Sequence, residues 1–334
     1  MQSYPLITVN YRCCQPYYRP RMRENTNVLP MNTDDIFAFW HITFAGYGEK
    51  ALITGSPNRT ERRFLFCDDR GNSYIAEGYH LRKKSAQIRQ NLLLEFLRTN
   101  QLDSVHPFCR TAAGEHGVES GGLFWQIRPY VSAGKIDRAT LGCHAEYGIL
   151  WAELLLQFKK IISTKNNPPA MPNPPFYMKN FLPELQKIAV RKMPQVGGKI
   201  QEFEQRLAPF FRWERQADGM FAHGDFHPGN ILMESNRVTA VIDWEFAGVK
   251  FPGYDMALLI GCLGMDHPEN LSSSAVIALQ NELYRNDYLP SAAWDHLPQM
   301  IAATRLGWLG EWLDLEEKSL VEQEIEFISI LLDN

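Results

Sequence analysis

Residues 220–248 form the stretch that most constrains the fold of this chain, because polar side chains occur there between two short apolar runs. Asn230 follows Asp225 after five residues, and Asp243 comes thirteen residues after Asn230, at the end of the second run. Two apolar runs that are joined by a polar turn predict a β-hairpin. Such a hairpin would bring Asn230 and Asp243 together, so that the stretch gathers two carboxylates and one amide around a single point.

The chemistry of these three side chains suits phosphoryl transfer. A kinase needs a carboxylate that orients the acceptor hydroxyl or receives its proton, and it needs oxygen ligands that hold Mg²⁺ against the phosphates. Mg²⁺ is a hard cation that commonly takes one or two carboxylates and completes its coordination with phosphates and water. Asp225, Asn230 and Asp243 therefore supply the protein's share of such a site.

The composition excludes several other classes of function. A formal net charge of −4 gives no general attraction to nucleic acids or anionic membranes. No apolar run approaches the roughly 20 residues that span a bilayer, and the N-terminus lacks the layout of a secretory signal. The six cysteines form no C-x-x-C pair, so we expect neither a zinc site nor a disulfide framework. We therefore expect a cytoplasmic protein without nucleic-acid or membrane partners, and the question of a homodimer stays open.

The periodicity of the apolar residues divides the 334-residue chain into an arm and two lobes. Residues 1–32 are predicted to form an N-terminal arm, and residues 33–131 a β-rich N-lobe that covers the nucleotide. Within the N-lobe we expect strands over residues 50–55, 63–67, 73–79 and 121–131, and helices over residues 33–40 and 83–100. Residues 132–334 are predicted to form a mainly helical C-lobe with one catalytic β-hairpin and with helices over residues 141–158, 181–190, 200–215, 254–264, 273–286, 292–312 and 319–332. The fold class is therefore α+β.

The letters HGDFHPGNIL, followed by VIDWEFAG, resemble the signature of the aminoglycoside phosphotransferase and choline kinase superfamily of small-molecule kinases. Protein kinases carry an arginine after the histidine, where this chain has Gly224. The resemblance implies a two-lobe protein-kinase-like fold, ATP and Mg²⁺ as cofactors, and a hydroxyl group of a small molecule, such as an amino sugar or amino alcohol, as the acceptor. It also implies that Asp225 is the catalytic base and that Asn230 and Asp243 are the Mg²⁺ ligands.

The same resemblance indicates further residues of the site. His223 and His227 belong to the catalytic loop, which they brace by hydrogen bonds, and Asp255 either buttresses this loop or caps a helix. The strand that ends near residue 130 matches the hinge, and the candidate nucleotide contacts are Gln126, Ile127, Arg128, Tyr130, Arg62 and Lys83. The candidate wall of the acceptor site consists of Trp244, Glu245, Trp308, Glu311 and Trp312. Such a wall suits a cationic acceptor, whereas the i, i+4 spacing of the last two tryptophans is also typical of a helix core.

One position departs from the family. Family members usually carry a lysine on the third N-lobe strand, which pairs with a glutamate of the following helix and contacts the phosphates, and here Glu77 occupies that position. Two explanations stay open. In the first, the pair is charge-swapped, and Glu77 faces a base from the following segment, for which the candidates are Lys83, Lys84 and Arg89. That base, or Arg62 or Arg63 of the preceding turn, would then contact the phosphates. In the second, nucleotide binding is weakened or lost, and the protein is a pseudokinase with a regulatory or scaffolding role.

Overall fold

The computed structural model describes residues 36–48, 60–132, 134, 137–164, 168–234 and 236–333. An antiparallel sheet occupies the N-terminal part of this structure, and helices make up most of the rest. The predicted α+β fold class, with a β-rich N-lobe and a mainly helical C-lobe, is therefore confirmed. The predicted arm over residues 1–32 and the predicted strand over residues 50–55 lie outside the described residues.

The described part of the N-lobe sheet has five antiparallel strands in the order β1-β2-β3-β5-β4. These strands are β1 (Phe44–Tyr47), β2 (Arg62–Asp68), β3 (Ser73–His80), β4 (Val118–Ser120) and β5 (Leu123–Pro129). Side chains alternate between the two faces of a strand, and in β2 the buried Phe64 and Phe66 alternate with less buried neighbours. Both rings pack against Phe37 in an aromatic core on one face of the sheet. The opposite face carries Arg63 and Glu77 and lines a cavity.

The helix after β3 connects the sheet to the C-lobe. This helix, α1 (Lys84–Thr99), buries Leu93, Leu94 and Leu97, which belong to the same large core as the helices of the C-lobe. The structure confirms the helix that was predicted over residues 83–100. Because β3 leads almost directly into α1, the packing of α1 on the C-lobe also holds the cavity side of the sheet in place.

Helices form most of the C-lobe. They are α2 (Ala145–Thr164), α3 (Met178–Lys192), α4 (Gly197–Arg206), α5 (Ala208–Glu214), α6 (Tyr254–Asp266), α7 (Ser274–Arg285), α8 (Ser291–Trp294), α9 (Leu297–Asp314) and α10 (Lys318–Asp333). Within the described part of the chain, no helix combines the length and the apolar character that crossing a bilayer requires.

Proline residues explain two differences between the predicted and the observed helices. The predicted helix over residues 200–215 is divided into α4 and α5, and the predicted helix over residues 292–312 is divided into α8 and α9. Pro209 and Pro298 lie in the first turn of α5 and α9, where the missing backbone N–H costs no hydrogen bond. A proline cannot continue the preceding helix without such a cost, so a new helix begins at each of these positions.

Two short antiparallel β-ribbons carry the loops of residues 220–248. The inner ribbon consists of β7 (Ile231–Glu234) and β8 (Arg237–Val241) and is the predicted hairpin. The outer ribbon pairs β6 (Met220–Ala222) with β9 (Gly248–Lys250), and the sequence pattern does not predict it. The inner ribbon lies between β6 and β9 along the chain. Residues 223–230 therefore lead from the outer ribbon to the inner one, and residues 242–247 lead back beside them. This nesting brings the polar residues of both connections to one place.

Candidate active site

Asp225 and Asn230 face each other inside the catalytic loop, residues 223–230. The Nδ2 group of Asn230 donates hydrogen bonds to the backbone oxygen and to Oδ2 of Asp225, both at 2.9 Å. Both residues are buried, and the Asp225 side chain keeps 11% of its surface exposed. Its second oxygen, Oδ1, lies 3.7 Å from Nε2 of His227. The loop therefore holds the Asp225 carboxylate in one orientation with a small part of it accessible.

His223 connects the catalytic loop to the residue before Asp243. Its Nδ1 accepts the backbone N–H of Asp225 at 3.2 Å, so Nε2 carries the proton and donates to the backbone oxygen of Ile242 at 2.9 Å. The ring is fully buried, and burial lowers the pKa of His223 to about 4. A histidine that is neutral at pH 7 and uses both ring nitrogens for hydrogen bonds is suited to bracing the loop.

Asp255 holds the start of the catalytic loop through two backbone hydrogen bonds. Its Oδ2 accepts the N–H of His223 at 2.6 Å, and its Oδ1 accepts the N–H of Gly224 at 2.9 Å. Burial raises the pKa of Asp255 to about 6, although these two bonds and the charge of Lys250 favour the carboxylate. Gly224 has a φ of 87°, and a Cβ atom there would overlap the backbone oxygen of Phe246. Glycine is therefore required at this turn of the loop.

Asp243 has a left-handed backbone conformation, with φ 61° and ψ 57°, which residues other than glycine seldom adopt. The preceding residue, Ile242, is bonded on both sides. Its N–H donates to the backbone oxygen of Asn230 at 2.9 Å, and its own backbone oxygen accepts from His223. Asn230 and Asp243 are thus joined to one hydrogen-bonded frame, and unfavourable backbone conformations that are imposed in this way occur preferentially at functional sites.

The pair of Asn230 and Asp243 has the chemistry of a Mg²⁺ site. Asn230 uses its amide nitrogen for both bonds to Asp225, which leaves its Oδ1 as the ligand atom. With the Asp243 carboxylate it provides two kinds of oxygen donor, and Mg²⁺ usually takes its other ligands from phosphates and water. Among the described residues, no group of three or more His, Cys, Asp and Glu side chains is arranged to hold a metal. The two oxygen donors of the pair suit a cation whose other ligands come from the phosphates of a nucleotide and from water.

A cavity of about 260 Å³ lies between the N-lobe sheet and the inner ribbon. Its lining combines apolar side chains, among them Ile75, Leu232 and Ile242, with charged groups that include Asp243. Two of the predicted nucleotide contacts, Arg128 and Tyr130, also line it. An apolar slot with a few charged groups suits a nucleotide, whose base is flat and whose phosphates are anionic.

The other predicted nucleotide contacts lie outside the lining of this cavity. These residues are Gln126, Ile127, Arg62 and Lys83. The pleat of the sheet explains two of them, because neighbours on a strand point to opposite faces. The Ile127 side chain belongs to the aromatic core on the far face, and Arg62 alternates with Arg63 along β2. Ile127 and Arg62 therefore lie on strands that border the cavity but on the face turned away from it.

A sequence model of the phosphotransferase enzyme family matches residues 56–297. The chain belongs to this family. The matched residues include the cavity, the catalytic loop and Asp243, and the assignment makes the protein a small-molecule phosphotransferase.

Solved structures of small-molecule kinases share the fold of this phosphotransferase. An aminoglycoside phosphotransferase from Alicyclobacillus acidocaldarius is 13% identical, with 92% of this chain and 97% of that chain covered and a TM-score of 0.58. An amicoumacin kinase in complex with AMP-PNP and Ca²⁺ is 14% identical, with 87% and 90% covered and a TM-score of 0.60. A spectinomycin phosphotransferase in complex with ADP and spectinomycin is 12% identical, with 90% and 94% covered and a TM-score of 0.58. Identities this low show a common fold alone.

The phosphotransferase also resembles a curated sequence over a shorter region. Homoserine kinase from Nitrobacter winogradskyi is 30% identical over 100 residues, which are 29% of this chain. The match spans 30% of the length of that homoserine kinase.

In this phosphotransferase two arginines contact Glu77, the residue at the position of the expected lysine. Arg63 lies opposite Glu77 in the antiparallel pair of β2 and β3, and its Nε is 3.0 Å from Oε1. Arg128 of β5 places its Nε 3.2 Å from Oε2. Of the bases expected from the segment after β3, Lys84 pairs with Glu119 and Arg89 donates to the backbone oxygen of Pro172. The expected pairing of Glu77 with Lys83, Lys84 or Arg89 is therefore corrected, because the arginines that contact Glu77 come from the two neighbouring strands.

Two residues of the predicted acceptor wall follow Asp243 directly. Trp244 is 2% exposed, its ring lies 4.5 Å from the ring of His223, and its Nε1 donates to the backbone oxygen of Val241 at 2.7 Å. This side chain thus packs beneath the catalytic loop. Glu245 is half-buried and lines the cavity.

The other three residues of the predicted wall, Trp308, Glu311 and Trp312, are half-buried on α9. The Trp308 ring lies 5.8 Å from the ring of His227 and 5.5 Å from the ring of Trp312. Both tryptophans also pack against the large C-lobe core. Helix α9 therefore approaches the catalytic loop of the phosphotransferase through Trp308.

Proposed function

We propose that this phosphotransferase transfers the γ-phosphoryl group of Mg²⁺-ATP to a hydroxyl group of a small molecule, with Asp225 as the catalytic base. The observation that carries the proposal is the setting of Asp225. Asn230 holds its Oδ2 at 2.9 Å, and hydrogen bonds through His223 join it to the segment that leads to Asp243 at the cavity. A carboxylate beside an amide oxygen and a second carboxylate is the set of groups that phosphoryl transfer requires.

In the proposed reaction the acceptor oxygen forms a bond to the γ-phosphorus. The bond to the β,γ-bridging oxygen breaks, and its electron pair stays on ADP. The acceptor proton passes to Asp225, whose Oδ1 is the oxygen that Asn230 does not bind. A Mg²⁺ ion held by Asn230 and Asp243 would neutralise charge on the phosphates. His223 and Asp255 keep the catalytic loop in position, because both bind its backbone.

The acceptor that fits this site best is an alcohol that also carries an amine. Trp308 lies beside His227, and Glu311 follows one turn later on α9. An aromatic face and a carboxylate together attract a cationic amine. Among the proteins of the same fold, one is an aminoglycoside phosphotransferase and another was determined with ADP and spectinomycin, which supports a small polar alcohol as the acceptor class.

The experiment is an assay of ADP formation with a panel of amino sugars, amino alcohols and homoserine. Asp225→Asn should lower kcat by about 100- to 10,000-fold, the range that a general base contributes, while the Kd for Mg²⁺-ATP stays close to that of the wild type. The matched control is Asp218→Asn, because Asp218 is exposed and lies just before β6. An Asp225→Asn variant that keeps the wild-type kcat would show that Asp225 is not the base.

A nucleotide-binding pseudokinase with a regulatory or scaffolding role is the second candidate. The observation that favours it is the presence of Glu77 where family members usually have a lysine. Such a protein would bind Mg²⁺-ATP and form no ADP with any member of the panel. Formation of ADP that depends on one acceptor and is lost in Asp225→Asn would exclude this candidate.

A further inference from the structure

The register of three neighbouring strands creates a buried cluster of Arg63, Glu77 and Arg128. Arg63 pairs with Glu77 across β2 and β3, and Glu77 pairs with Gln126 across β3 and β5. Arg128 lies two residues beyond Gln126, so it reaches Glu77 along the diagonal on the same face of the sheet. The Glu77 side chain is 5% exposed and each arginine side chain is 12% exposed. The cluster is therefore built into the sheet.

This cluster carries more positive charge than its own ion pairs use. Two guanidinium groups surround one carboxylate, which leaves one positive charge in excess. Each buried Nε lies within 3.2 Å of a Glu77 oxygen, but neither N–H points at that oxygen closely enough to donate a hydrogen bond, and no other described residue accepts it. Burial of charge and of hydrogen-bond donors without partners is unfavourable. An anionic ligand that accepted these hydrogen bonds would remove the unfavourable contribution.

The cluster and Asp243 line the same cavity. Burial opposes the charge on Arg128, but the carboxylates of Glu77 and Asp243 hold the pKa of Arg128 above its ordinary value. Arg128 therefore lies within electrostatic reach of Asp243. An anionic chain that is bound to a divalent cation would fit between them, with the cation toward Asp243 and anionic oxygens toward the arginines.

We propose that Arg63 and Arg128 bind the phosphate chain of the nucleotide and that Glu77 positions both guanidinium groups. The planar donors of a guanidinium group match the oxygens of a phosphate in pairs. The two arginines then replace the single lysine that is usual in the family, and Glu77 replaces the acid that holds that lysine. This inference rests on the proposed function, because it takes Mg²⁺-ATP as the ligand.

The test measures the Kd values of ATP, ADP, AMP and adenosine in the presence of Mg²⁺ by isothermal titration calorimetry. Arg63→Gln and Arg128→Gln should each weaken ATP and ADP by about 10- to 100-fold, the value of a hydrogen bond to a charged group, and leave adenosine unchanged. A merely structural role of the arginines would weaken adenosine as much as ATP, which would overturn the proposal.

The matched control is Arg110→Gln. Arg110 forms an ion pair with Glu95 at 2.6 Å in the same lobe, and the described lining of the cavity includes neither residue. This variant should bind all four ligands like the wild type. A loss of ATP affinity in Arg110→Gln as large as that of the cluster variants would show that the effect is general to the lobe and would overturn the proposal.

The variant Glu77→Gln tests the positioning role of Glu77 separately from phosphate binding by the two arginines. Removal of the carboxylate keeps both arginine charges but takes away the group that orients them, so the affinity for ATP should fall by less than in the arginine variants. An unchanged or higher affinity would show that Glu77 does not position the arginines. A decrease as large as theirs would contradict the arrangement. If a single arginine variant does not fold, the double variant Arg63→Gln with Glu77→Gln leaves Arg128 as the one charge of the cluster, and it should still lose affinity for ATP and ADP but not for adenosine.

The outcomes distinguish this inference from the proposed function. Wild-type protein that binds ATP, together with unchanged ATP affinity in Arg63→Gln and Arg128→Gln, would overturn the inference and leave the proposed function intact. Wild-type protein that binds neither ATP nor ADP would overturn the proposed function, and the inference with it. If both arginine variants lose more affinity for ligands with more phosphates, the result supports both the inference and the proposed function.

Discussion

Two buried arginine–glutamate clusters, one in each lobe, differ in how completely their hydrogen bonds are satisfied. In the C-lobe, Arg305 of α9 donates to both oxygens of Glu324 of α10, from Nε at 3.0 Å and from Nη2. Glu324 also accepts the indole N–H of Trp312 at 3.2 Å, and Arg305 also donates to Sγ of Cys262. In the N-lobe, two arginines share the carboxylate of Glu77 as ion pairs, but their Nε–H groups are not directed at its oxygens and form no hydrogen bond with a described residue.

Charge balance and hydrogen bonding therefore distinguish a structural ion pair from a binding site, whereas residue type and burial do not. The C-lobe pair has one charge of each sign, lies 3% and 0% exposed, and needs no further partner. The N-lobe cluster has an excess positive charge and lines a cavity. We therefore expect substitutions in the C-lobe pair to change stability and substitutions in the N-lobe cluster to change ligand binding.

The largest effect on stability is expected for Arg305→Met. It leaves Glu324 buried without its counter-charge, and the loss of one partner of a buried pair costs about 3–5 kcal/mol in the free energy of unfolding. The double variant Arg305→Met with Glu324→Leu should recover most of this loss, because an apolar replacement of a whole pair is often neutral. Urea denaturation measures both values.

The matched control for this prediction is Arg191→Met. Arg191 pairs with Asp314 at the end of α9, and both side chains are largely exposed. Exposed ion pairs contribute about 1 kcal/mol or less, so the free energy of unfolding of this variant should be close to that of the wild type. Equal losses in Arg305→Met and Arg191→Met would contradict the view that the C-lobe pair is a structural element.

Two buried groups at the catalytic loop, His223 and Asp255, should contribute to the pH dependence of stability between about pH 4 and 6.5. Burial lowers the pKa of His223 from 6.5 to about 4, so the unfolded chain binds more protons there and stability rises with pH. Burial raises the pKa of Asp255 from 3.8 to about 6, so the folded chain binds more protons there and stability falls with pH. These two contributions, each of order 3 kcal/mol, oppose each other over the same range.

Asp255→Asn should reveal the contribution of His223. Its free energy of unfolding should rise by about 3 kcal/mol between about pH 4 and 6.5, whereas in the wild type these two groups nearly cancel. The measurement is urea denaturation at a series of pH values, with Asp218→Asn as the control for the loss of an exposed carboxylate. A profile in Asp255→Asn that is as flat as that of the wild type would refute the opposition of the two groups.

The smallest effect is expected for the stability of Arg63→Gln without nucleotide. This substitution removes the excess charge and leaves Glu77 and Arg128 as a balanced pair, so the free energy of unfolding should change by about 1 kcal/mol or less. A decrease in the free energy of unfolding as large as that of Arg305→Met would mean that the two clusters play the same structural role.

The arrangement of the catalytic loop could be predicted because it depends on nearby parts of the chain. Asp225 and Asn230 are five residues apart, and a single hairpin connects Asn230 to Asp243. Turn residues and alternating apolar runs encode such a hairpin locally. The catalytic role of Asp225 and the metal-binding roles of Asn230 and Asp243 stay predictions, and Asp225→Asn tests the first of them.

Several elements could not be predicted because they are short or depend on distant partners. The three-residue strands of the outer ribbon contain no recognisable period, and their pairing joins two segments on either side of the hairpin. The four-residue strand β1 was missed for the same reason. Sequence proximity favours Lys83, Lys84 and Arg89 as partners of Glu77, whereas the sheet supplies the partners from other strands.

The chemistry of one loop can be read from the amino-acid sequence, through two aspartates and one asparagine at a spacing that a hairpin can close. The position of Glu77 between Arg63 and Arg128 depends on the folded sheet, because three strands must share one register for that contact. A shift of one residue would turn Arg63 to the aromatic core and Phe64 to the cavity, since side chains alternate between the faces of a strand. The packing of Phe64 against Phe37 holds this register, and that contact joins β2 to a segment 27 residues earlier in the chain.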